Sequence, residues 1–442
     1  MEMLIQAGAP LQGEASVPPD KALGQRATLL AAVAEGTTSI HPWPSGEDCQ
    51  AALCLIQQLG VPIQRSSSTV RIEGGGARSL RQPATALSCG ESGTTFRLAA
   101  GVLAGQPWTS RLCAGPSLSR RPMQRIIEPL TRMGACIDAA GGLPGSTDSH
   151  PPLTIHGRAP LRAIRYPMPL AIAQVKSAIL FAGLFADGPT TVIEPHPTRD
   201  HTERLLRACG MAVHSAGHEV TIEPGALRAP GELALPGDVS SAAFFLVGAC
   251  CVPGSQITLR GVGMNPTRTA FLDVLTRMGA AITVSLAPAE SWEPRGTLTV
   301  HAGSLQAVTV TADEVPGLID ELPILMVAAS CARGVTRFEG VGELRVKETD
   351  RVQSMVEGLS RLGACIRLLD PETVEIAGGP LRGAELESAG DHRTAMSLAI
   401  AGLAAEGRTL VRGAECVAKS FPEFWDHLAA LTTPTTVTMS KH

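Results

Sequence analysis

Aromatic side chains are scarce in this chain of 442 residues, of which phenylalanine, tryptophan and tyrosine make up only 3%. The core must therefore be built from alanine, leucine, valine and isoleucine, and a surface for stacking nucleic-acid bases is not expected. No long run of lysine or arginine is present, and the formal net charge is −4. Neither a nucleic acid nor an anionic membrane is therefore an expected partner.

Long apolar runs are also missing, because no stretch reaches the roughly 18 residues that a membrane span needs. The first residues, Met1 to Ile5, contain neither a basic segment nor a long apolar one, so we expect no signal peptide. The eleven cysteines are odd in number and form no Cys-x-x-Cys pair, so neither a zinc site nor a disulfide framework is expected. We expect a reduced cytoplasmic protein.

The residues that are abundant indicate a folded chain with many turns. Hydrophobic residues make up 44% and charged residues 18%, which excludes a disordered chain. The 46 glycines and 33 prolines indicate frequent turns between short elements. The length is sufficient for two ordinary domains.

A repeated pattern divides the chain into six similar parts. In each part a helix rich in small apolar residues ends in a short turn with glycine. The six glycines are Gly36, Gly105, Gly188, Gly254, Gly334 and Gly407. Because these helices are apolar on nearly every face, we expect them to be buried.

Amphipathic helices alternate with the buried ones and end in a residue pair whose second member is glycine, followed by a strand. The glycines of these pairs are Gly60, Gly134, Gly210, Gly279 and Gly363, and the last repeat is degenerate near 428–431. The hexapeptide Leu-Thr-Arg-Met-Gly-Ala occurs twice, at 130–135 and 275–280. Each glycine is predicted to end its helix in the left-handed conformation.

Six α/β units of about 70 residues favour two domains of three units each. Two similar proline-containing segments, at 17–21 and 235–239, mark the candidate crossings between the domains. We therefore divide the chain into 20–235 for one domain and 1–19 plus 236–442 for the other. A cleft between the two domains is the expected position of the active site.

Polar and charged residues stand directly before the buried helices. These residues include Lys21, Arg26, Thr94, Lys176, Ser240, Asp320, Glu321, His392 and Arg393. Helix N-termini carry free N–H groups and attract anions, so several of them together would form a site for a small, multiply charged anion. For Thr94 and Ser240 ordinary helix capping is an equally good explanation. The cations Lys21, Arg26 and Arg393 cannot be caps of this kind.

In their order along the chain, these residues resemble the enolpyruvyl transferase family nearly end to end. The matching segments are Asp20-Lys21 to Arg26, Ser92-Gly93-Thr94-Thr95, Arg121-Pro122-Met123, Gln174-Val175-Lys176-Ser177-Ala178, Arg199 to Arg204, Asn265-Pro266-Thr267-Arg268, Arg345 to Arg351, Asp391-His392-Arg393 and Ala418-Lys419. The resemblance implies an α/β fold of two inside-out barrels, each made of three βαβ-type units, which close on the substrate. It also implies a monomer that uses no metal and no organic cofactor.

The reaction implied by the resemblance moves the enolpyruvyl group of phosphoenolpyruvate to a hydroxyl of 3-phosphoshikimate and releases phosphate. The implied phosphoenolpyruvate-binding residues are Lys21, Gly93, Arg121, Gln174, Arg351, Arg393 and Lys419. Asp320 resembles the base at the acceptor hydroxyl and Glu348 the group that exchanges a proton with the methylene carbon, with Lys21 and His392 close to these steps. The implied acceptor-binding residues are Lys21, Ala22, Arg26, Ile172, Gln174, Thr198, Asp320 and Lys347.

The acceptor side departs from the family pattern. Ala22 and Ile172 stand where the family usually has hydroxyl side chains, Glu91 replaces an asparagine, and Gly115 replaces a common acidic residue. Each lost hydroxyl contact to a charged group is worth about 1.5–3 kcal/mol. Three interpretations therefore stay open: a transferase acting on 3-phosphoshikimate, a paralogue acting on another hydroxyl compound with or without a phosphate, and a catalytically silent binding protein.

Overall fold

The computed structural model describes residues 1–140, 148–288, 291–432 and 436–440. Tertiary contacts divide the chain into two units. The terminal unit, which contains both chain ends, comprises Met1–Pro18, Pro236–Glu290 and Pro294–His442. The central unit comprises Pro19–Leu235 and Ser291–Glu293.

This division differs from the predicted one at Pro19 and at residues 291–293, which belong to the central unit. The short segment is held there by two contacts. Trp292 packs against the core of the central unit. Glu293 accepts a hydrogen bond through Oε1, 2.7 Å from Nδ1 of His201, and both side chains are buried. Hydrophobic patterning carries no signal for so short a segment.

Two kinds of helix alternate along the chain. The helices of the described residues are α1 Lys21–Val33, α2 Glu47–Gln58, α3 Gly93–Ala104, α4 Gln124–Arg132, α5 Ala173–Gly183, α6 His201–Ala208, α7 Val239–Cys251, α8 Ala270–Arg277, α9 Val315–Leu318, α10 Leu322–Cys331, α11 Arg351–Arg361, α12 His392–Ala404 and α13 Phe424–Leu431. Short 3₁₀ helices span Leu118–Arg120, Val341–Val346 and Ala414–Lys419.

The strands are short and occur between the helices. Within the described residues they are β1 Glu2–Gln6, β2 Gln12–Ser16, β3 Glu35–His41, β4 Ile63–Arg65, β5 Val70–Gly75, β6 Leu87–Ser88, β7 Thr109–Cys113, β8 Cys136–Ala140, β9 His150–His156, β10 Arg165–Pro167, β11 Thr190–Ile193, β12 Val213–Ala216, β13 Glu219–Ile222, β14 Gly231–Ala234, β15 Gln256–Gly263, β16 Ala281–Leu286, β17 Arg295–His301, β18 Thr309–Val310, β19 Val335–Phe338, β20 Cys365–Asp370, β21 Thr373–Ala377, β22 Glu385–Glu387, β23 Arg408–Arg412 and β24 Val437–Met439.

Each unit has three four-stranded sheets with one shared topology, seen in the part of the chain that the structure describes. In the order β6-β7-β9-β8, β6 runs parallel to β7, and β9 runs antiparallel to both β7 and β8. The parallel pair is joined through α3, which is the βαβ connection that parallel strands require. The predicted α/β class with three βαβ-type repeats in each domain is confirmed.

Three sheets pair strands that lie far apart in the chain. In the terminal unit, β1 pairs with β23 and β24 near the end of the chain, and β2 pairs in parallel with β15. In the central unit, β14 pairs in parallel with β3 near the beginning of that unit. Both units are therefore closed by the pairing of remote segments.

The buried helices α1, α3, α5, α7, α10 and α12 have almost no exposed residues, as their uniformly apolar sequences predict. The amphipathic helices bury one face only. Five of these helices are followed by a glycine with positive φ, and those glycines are Gly60, Gly134, Gly210, Gly279 and Gly363. Left-handed backbone is costly for residues with a Cβ, which explains why glycine recurs at this point.

The cores of both units are mainly aliphatic, as the composition predicts. An aromatic cluster in the terminal unit is the exception, and it joins α7 to α13. Phe245 lies 5.9 Å from Phe421 and 5.8 Å from Phe424, measured between ring centroids. No helix of the described residues is both long enough and apolar enough to span a bilayer.

Candidate active site

Capping accounts for part of the polar pattern at the starts of the buried helices. The side chains that accept hydrogen bonds from first-turn amides are those of Asp20, Ser92, Asp238 and Asp391. Thr94 and Ser240 do not cap these helices. The Thr94 hydroxyl accepts a hydrogen bond from the side-chain amide of Gln174, and the Ser240 hydroxyl donates one to Glu321. The alternative explanation for these two residues therefore does not apply, and both lie in side-chain networks.

The start of α1 brings Lys21 beside a carboxylate from α2. The Lys21 Nζ lies 2.9 Å from Oδ2 of Asp48, and both side chains are largely buried. The backbone carbonyl of Asp48 accepts a hydrogen bond from Gln25, which also donates to Ser92 at the start of α3. The N-termini of α1 and α3 are therefore joined by direct hydrogen bonds, and Lys21 lies next to this junction.

The start of α3 holds two guanidinium groups close to its backbone. A Cβ on Gly93 would lie 2.6 Å from NH1 of Arg121 and 2.9 Å from NH1 of Arg97, so no larger residue fits without moving them. Arg97 donates to Oε1 of Gln174 at 2.7 Å, and Nε2 of Gln174 donates to Thr94 at 2.8 Å. The predicted residues Gly93, Arg121 and Gln174 are thus brought together.

We call Lys21, Asp48, Gly93, Arg97, Arg121 and Gln174 the central cluster. Its three cations outnumber its one carboxylate, which leaves a charge of +2 at partly buried positions. Asp48 and Arg97 were missed by the sequence analysis. Arg97 lies one helical turn after Gly93, so a search for cations at i+4 from the predicted glycine would have found it. The cluster has the charge that an anionic ligand requires.

Arg26 and Thr198, predicted to contact the acceptor, are buried and bonded within the central unit. Arg26 donates to the hydroxyls of Thr202 and Ser177, at 3.0 and 3.2 Å, and to the carbonyl of Ala22 at 3.0 Å. The amide of Thr198 donates to Oε1 of Glu194 at 3.1 Å. The structure therefore places both residues in hydrogen-bond networks of the central unit.

A buried lysine lies beside Thr198 and is shared by two carboxylates. Lys176 Nζ is 2.9 Å from Oε2 of Glu194 and 2.7 Å from Oε1 of Glu203, and all three side chains are buried. Burial raises the pKa of Glu203, and Lys176 only partly opposes this rise. A carboxyl whose pKa is higher in the folded state binds its proton more tightly there, so stability falls as the pH rises above its unfolded pKa.

Glu203→Gln is therefore expected to gain stability relative to the unsubstituted protein as the pH rises from 5 to 8. Glutamine cannot ionise, and Lys176 keeps Glu194 as its partner. Urea denaturation at several pH values measures the difference in midpoint between the two proteins. Glu232→Gln, at an exposed position of the same unit, is the control. The difference in urea midpoint between this variant and the unsubstituted protein is expected to be the same at every pH. A constant difference for Glu203→Gln would contradict the prediction.

Glu91 stands where the family usually has asparagine, and its carboxylate points toward backbone amides. Its Oε1 accepts from the amide of Ser117 at 3.2 Å, and its Oε2 accepts from the amide of Leu118 at 2.8 Å. The carboxylate thus lies at the start of the 3₁₀ helix Leu118–Arg120, where negative charge is stabilising. Gly115 makes this possible, because a Cβ there would lie 2.4 Å from Oε1 of Glu91. The two departures from the family pattern are therefore coupled.

Gly115→Ala is expected to displace the Glu91 carboxylate and to lower the free energy of unfolding by about 1.5–3 kcal/mol, the value of hydrogen bonds to a charged group. Denaturant unfolding measures the change. Gly379→Ala, where a Cβ meets no atom within 4 Å, is the matched control and should change little. If the mechanism is right, Glu91→Ala combined with Gly115→Ala should be no less stable than Glu91→Ala alone.

The two predicted acceptor positions without hydroxyl groups lie at the starts of α1 and α5. Ala22 is half-buried in the first turn of α1, and its amide donates to the capping carboxylate of Asp20. Ile172 occupies the N-cap position of α5 and makes no side-chain hydrogen bond there. Both positions are next to predicted site residues, Lys21 in one case and Gln174 in the other.

In the terminal unit Arg351 is surrounded by three carboxylates and is 1% exposed. Its Nε donates to Asp391 at 2.7 Å, its NH2 donates to Glu348 at 2.5 Å, and its NH1 lies 3.6 Å from Asp320. Burial opposes the charge of the guanidinium, but the three carboxylates outweigh this effect and hold the pKa of Arg351 above its ordinary value.

Arg393 and His392 complete this group at the start of α12. NH1 of Arg393 donates to the backbone carbonyl of Asp320 at 2.9 Å, and NH2 lies 3.5 Å from its carboxylate. His392 is buried, with Nδ1 3.8 Å from Oδ1 of Asp391. We call Asp320, Glu348, Arg351, Asp391, His392 and Arg393 the terminal cluster. Here three carboxylates face two guanidinium groups, which suits proton transfer beside a bound anion.

Asp391 was not among the predicted site residues, although it is the member that joins the cluster. Its Oδ2 binds Arg351, and its Oδ1 caps α12 by accepting from the amide of Arg393. An aspartate directly before a buried helix is also the ordinary sequence signal for an N-cap. Capping and site formation are therefore compatible functions of one side chain here.

Two predicted lysines lie at the ends of 3₁₀ helices of the terminal unit. Lys347 lies 3.7 Å from Glu343 within its own loop. Lys419 ends the 3₁₀ helix Ala414–Lys419, and its charge and that of Asp391 both act on the thiol of Cys416. Burial raises the pKa of Cys416 to about 11, with Asp391 adding to the rise and Lys419 opposing it. Lys419 is thus close enough to Asp391 for both to influence one thiol.

The chain is similar to known proteins over nearly its whole length. The model of EPSP synthase (3-phosphoshikimate 1-carboxyvinyltransferase) matches residues 5–428. A 3-phosphoshikimate 1-carboxyvinyltransferase of Shouchella clausii is 42% identical over 98% of this chain and 99% of the relative, and one of Coxiella burnetii is 45% identical over 94% and 93%.

Solved structures agree with the family match. An EPSP synthase from Acinetobacter baumannii superposes with a TM-score of 0.86 at 40% identity, covering 100% of both chains. The enolpyruvyl transferase NikO from Streptomyces tendae shares the fold, with a TM-score of 0.76 at 18% identity over 97% of both chains. The chain therefore has the fold of an enolpyruvyl transferase.

Within this class the match is specific. The chain belongs to the EPSP synthase (3-phosphoshikimate 1-carboxyvinyltransferase) family. The predicted class of enzyme, a carboxyvinyl transferase, is confirmed by the same findings.

Proposed function

We propose that this protein transfers the carboxyvinyl group of phosphoenolpyruvate to a hydroxyl of 3-phosphoshikimate and releases phosphate. We further propose that the central and terminal clusters act on one pair of bound substrates, as the family resemblance implies. The observation that carries the proposal is the central cluster, where three cations and one carboxylate are assembled around helix N-termini.

Phosphoenolpyruvate carries a phosphate and a carboxylate, so it requires several fixed cations. In this proposal Lys21, Arg121 and Gln174 of the central cluster bind it, with the backbone of Gly93 close to the anion. Planar guanidinium groups bind both anionic groups through paired hydrogen bonds. Arg97 fixes Gln174 through the 2.7 Å contact and is a positioning residue. The terminal unit supplies three further cations for phosphoenolpyruvate, which are Arg351, Arg393 and Lys419.

The reaction needs two proton transfers during addition, and the terminal cluster offers carboxylates for both. Asp320 removes the proton of the acceptor hydroxyl, which then attacks the second carbon of phosphoenolpyruvate. Glu348 supplies a proton to the methylene carbon and takes one back when phosphate leaves. Lys21 and His392 assist these steps. The guanidinium of Arg351 contacts Glu348 at 2.5 Å and lies 3.6 Å from Asp320, so one cation holds both carboxylates.

The acceptor is 3-phosphoshikimate in this proposal, bound through Lys21, Gln174, Asp320 and Lys347 beside Ala22 and Ile172. Arg26 and Thr198 contribute indirectly, because the Arg26 side chain donates to Thr202 and the Thr198 hydroxyl donates to Glu194 inside the central unit. The orientation of Glu91 supports the proposal. Its carboxylate is satisfied by two backbone amides, so the charge that would repel a phosphate is stabilised by the protein itself.

The test is phosphate release from phosphoenolpyruvate by the purified protein with 3-phosphoshikimate, with shikimate, or with no acceptor. Turnover with 3-phosphoshikimate alone is the expected result. Turnover with shikimate but not with its 3-phosphate would indicate a paralogue with a different acceptor. Absence of turnover in a protein that still binds phosphoenolpyruvate would contradict the proposed acceptor and leave either another acceptor or a catalytically silent binding protein.

Ile172→Ser is expected to lower KM for 3-phosphoshikimate about 10- to 100-fold, because a new hydroxyl contact to a charged group is worth about 1.5–3 kcal/mol. Serine would also cap α5, which now starts without a side-chain cap. Steady-state kinetics with the two acceptors measures the effect. Ile172→Ala, which removes the same apolar surface without adding a hydroxyl, is the control. Equal kinetics of the two variants would contradict a phosphate contact at this position.

We also propose that the protein acts in the cytoplasm as a monomer. Each unit has its own continuous aliphatic core in the described residues, so neither needs a second chain to complete it. Sedimentation at the concentrations used for the assay tests this proposal, and a dimer that persists on dilution would contradict it.

A further inference from the structure

Three cysteines of the terminal unit line one small cavity. It has a volume of about 130 Å³, and its walls include Cys250, Cys251, Cys331 and Arg333. Cys251 and Cys331 are half-buried, whereas Cys250 is buried. None of these residues belongs to the terminal cluster or to the proposed reaction.

The neighbouring thiol of Cys331, followed in effect by burial, raises the pKa of Cys251 well above its ordinary value. Cys251 therefore keeps its proton, and the two residues line the same cavity. Burial raises the pKa of Cys250 to about 12, so this third thiol is a poor nucleophile.

The helices that carry Cys251 and Cys331 are joined at their starts. Cys251 is the last residue of α7 and Cys331 the last residue of α10. The starts of the same two helices are joined by the hydrogen bond from Ser240 to Glu321 and by Arg268, whose NH2 donates to Ser240 at 2.6 Å. Two parallel helices fixed at their starts bring their ends to a reproducible separation.

We propose that Cys251 and Cys331 form a redox pair, which closes to a disulfide by exchange with a low-molecular-weight disulfide. Cys331 attacks one sulfur of the reagent, and the reagent's disulfide bond breaks to give a mixed disulfide and one released thiol. Cys251 then loses its proton and attacks the sulfur of Cys331, releasing the second thiol. Two protein thiols are oxidised to one disulfide, and one reagent disulfide is reduced to two thiols.

The order of attack follows from the surroundings of the two sulfur atoms. The raised pKa keeps Cys251 protonated, and a protonated thiol is a far poorer nucleophile than a thiolate. The first attack is therefore assigned to Cys331. Cys251, which lines the same cavity, is the resolving residue.

Incubation with oxidised glutathione followed by peptide mapping under non-reducing conditions tests the proposal. The expected product is a crosslink between the peptides containing Cys251 and Cys331, which a thiol reductant reverses. A lasting mixed disulfide on Cys331 with Cys251 still reduced would overturn it. So would a crosslink through Cys250, or modification confined to the exposed Cys54, Cys136 and Cys365.

Thermal unfolding gives a second readout that does not depend on variants or on enzyme activity. The two residues are 80 positions apart in the chain, so their disulfide restricts the unfolded state and should raise the unfolding temperature. Cys331→Ser and Cys251→Ser are expected to abolish this rise, whereas Cys54→Ser, at an exposed position, should retain it. An oxidised protein with a mapped crosslink but a lower unfolding temperature would show that the native geometry does not accommodate the bond.

Discussion

Asp320→Asn is expected to lower kcat for phosphate release roughly 10²- to 10⁴-fold, the range found for general acid–base groups. Asparagine has nearly the same shape but cannot take the proton of the acceptor hydroxyl. The backbone carbonyl of Asp320, which accepts from Arg393 at 2.9 Å, is unaffected, so the cluster should keep its arrangement. Steady-state kinetics with both substrates measures kcat and each KM.

The two kinetic parameters distinguish a base from a residue that only binds. Removing the charge of Asp320 leaves Arg351 and Arg393 with one carboxylate fewer, so affinity for phosphoenolpyruvate should stay the same or increase. Asp313→Asn, an exposed aspartate on the preceding segment, is the control and should leave kcat unchanged. A raised KM with a normal kcat in Asp320→Asn would rule out the role of base.

Arg351→Gln is expected to lower the free energy of unfolding by about 3–5 kcal/mol, the cost of removing one member of a buried ionic group. The guanidinium is almost fully buried, and its loss would leave Asp320, Glu348 and Asp391 without their shared cation. Since these carboxylates are 19%, 14% and 0% exposed, water cannot replace the lost charge effectively. Urea denaturation followed by circular dichroism measures the change.

A matched surface arginine controls for the loss of a positive charge. Arg345 lies 2.8 Å from Asp350 at a half-exposed position of the same loop, and its replacement by glutamine should cost no more than about 1 kcal/mol. The loss in free energy of unfolding for Arg351→Lys should lie between those of the two glutamine variants. Lysine keeps the charge but not the planar group that reaches three partners. Equal losses for Arg351→Gln and Arg345→Gln would mean that the terminal cluster does not stabilise the unit.

The fold was predictable from the sequence because its signals are local and repeated. A run of small apolar residues such as 27–33 buries every face of a helix wherever it occurs, and each glycine after an amphipathic helix ends that helix through backbone sterics. Sixfold repetition also strengthens each of these weak signals. The boundary at 291–293 was not predictable, because it depends on Trp292 and Glu293 finding partners in the central unit.

The candidate site was only partly predictable. The matched motifs named Lys21, Gly93, Arg121 and Gln174, but Asp48 has no sequence feature that separates it from other acidic residues at helix starts. Its importance appears when α2 packs beside α1 and brings its carboxylate within 2.9 Å of Lys21. Similarly, the sequence alone suggests that the carboxylate of Glu91 would repel a bound phosphate. In the structure this carboxylate accepts hydrogen bonds from two backbone amides.

The sequence by itself therefore determined the α/β repeats, the buried and half-buried helices, the family and the residue types of the chemistry, because these depend on local pattern and motif order. Only the tertiary structure decided which charges face each other. It placed Arg351 among three carboxylates, turned Glu91 away through the space left by Gly115, and brought Cys251 and Cys331 to the wall of one cavity. The physical reason is that electrostatic and hydrogen-bond energies depend on distances of a few ångströms between residues far apart in the chain.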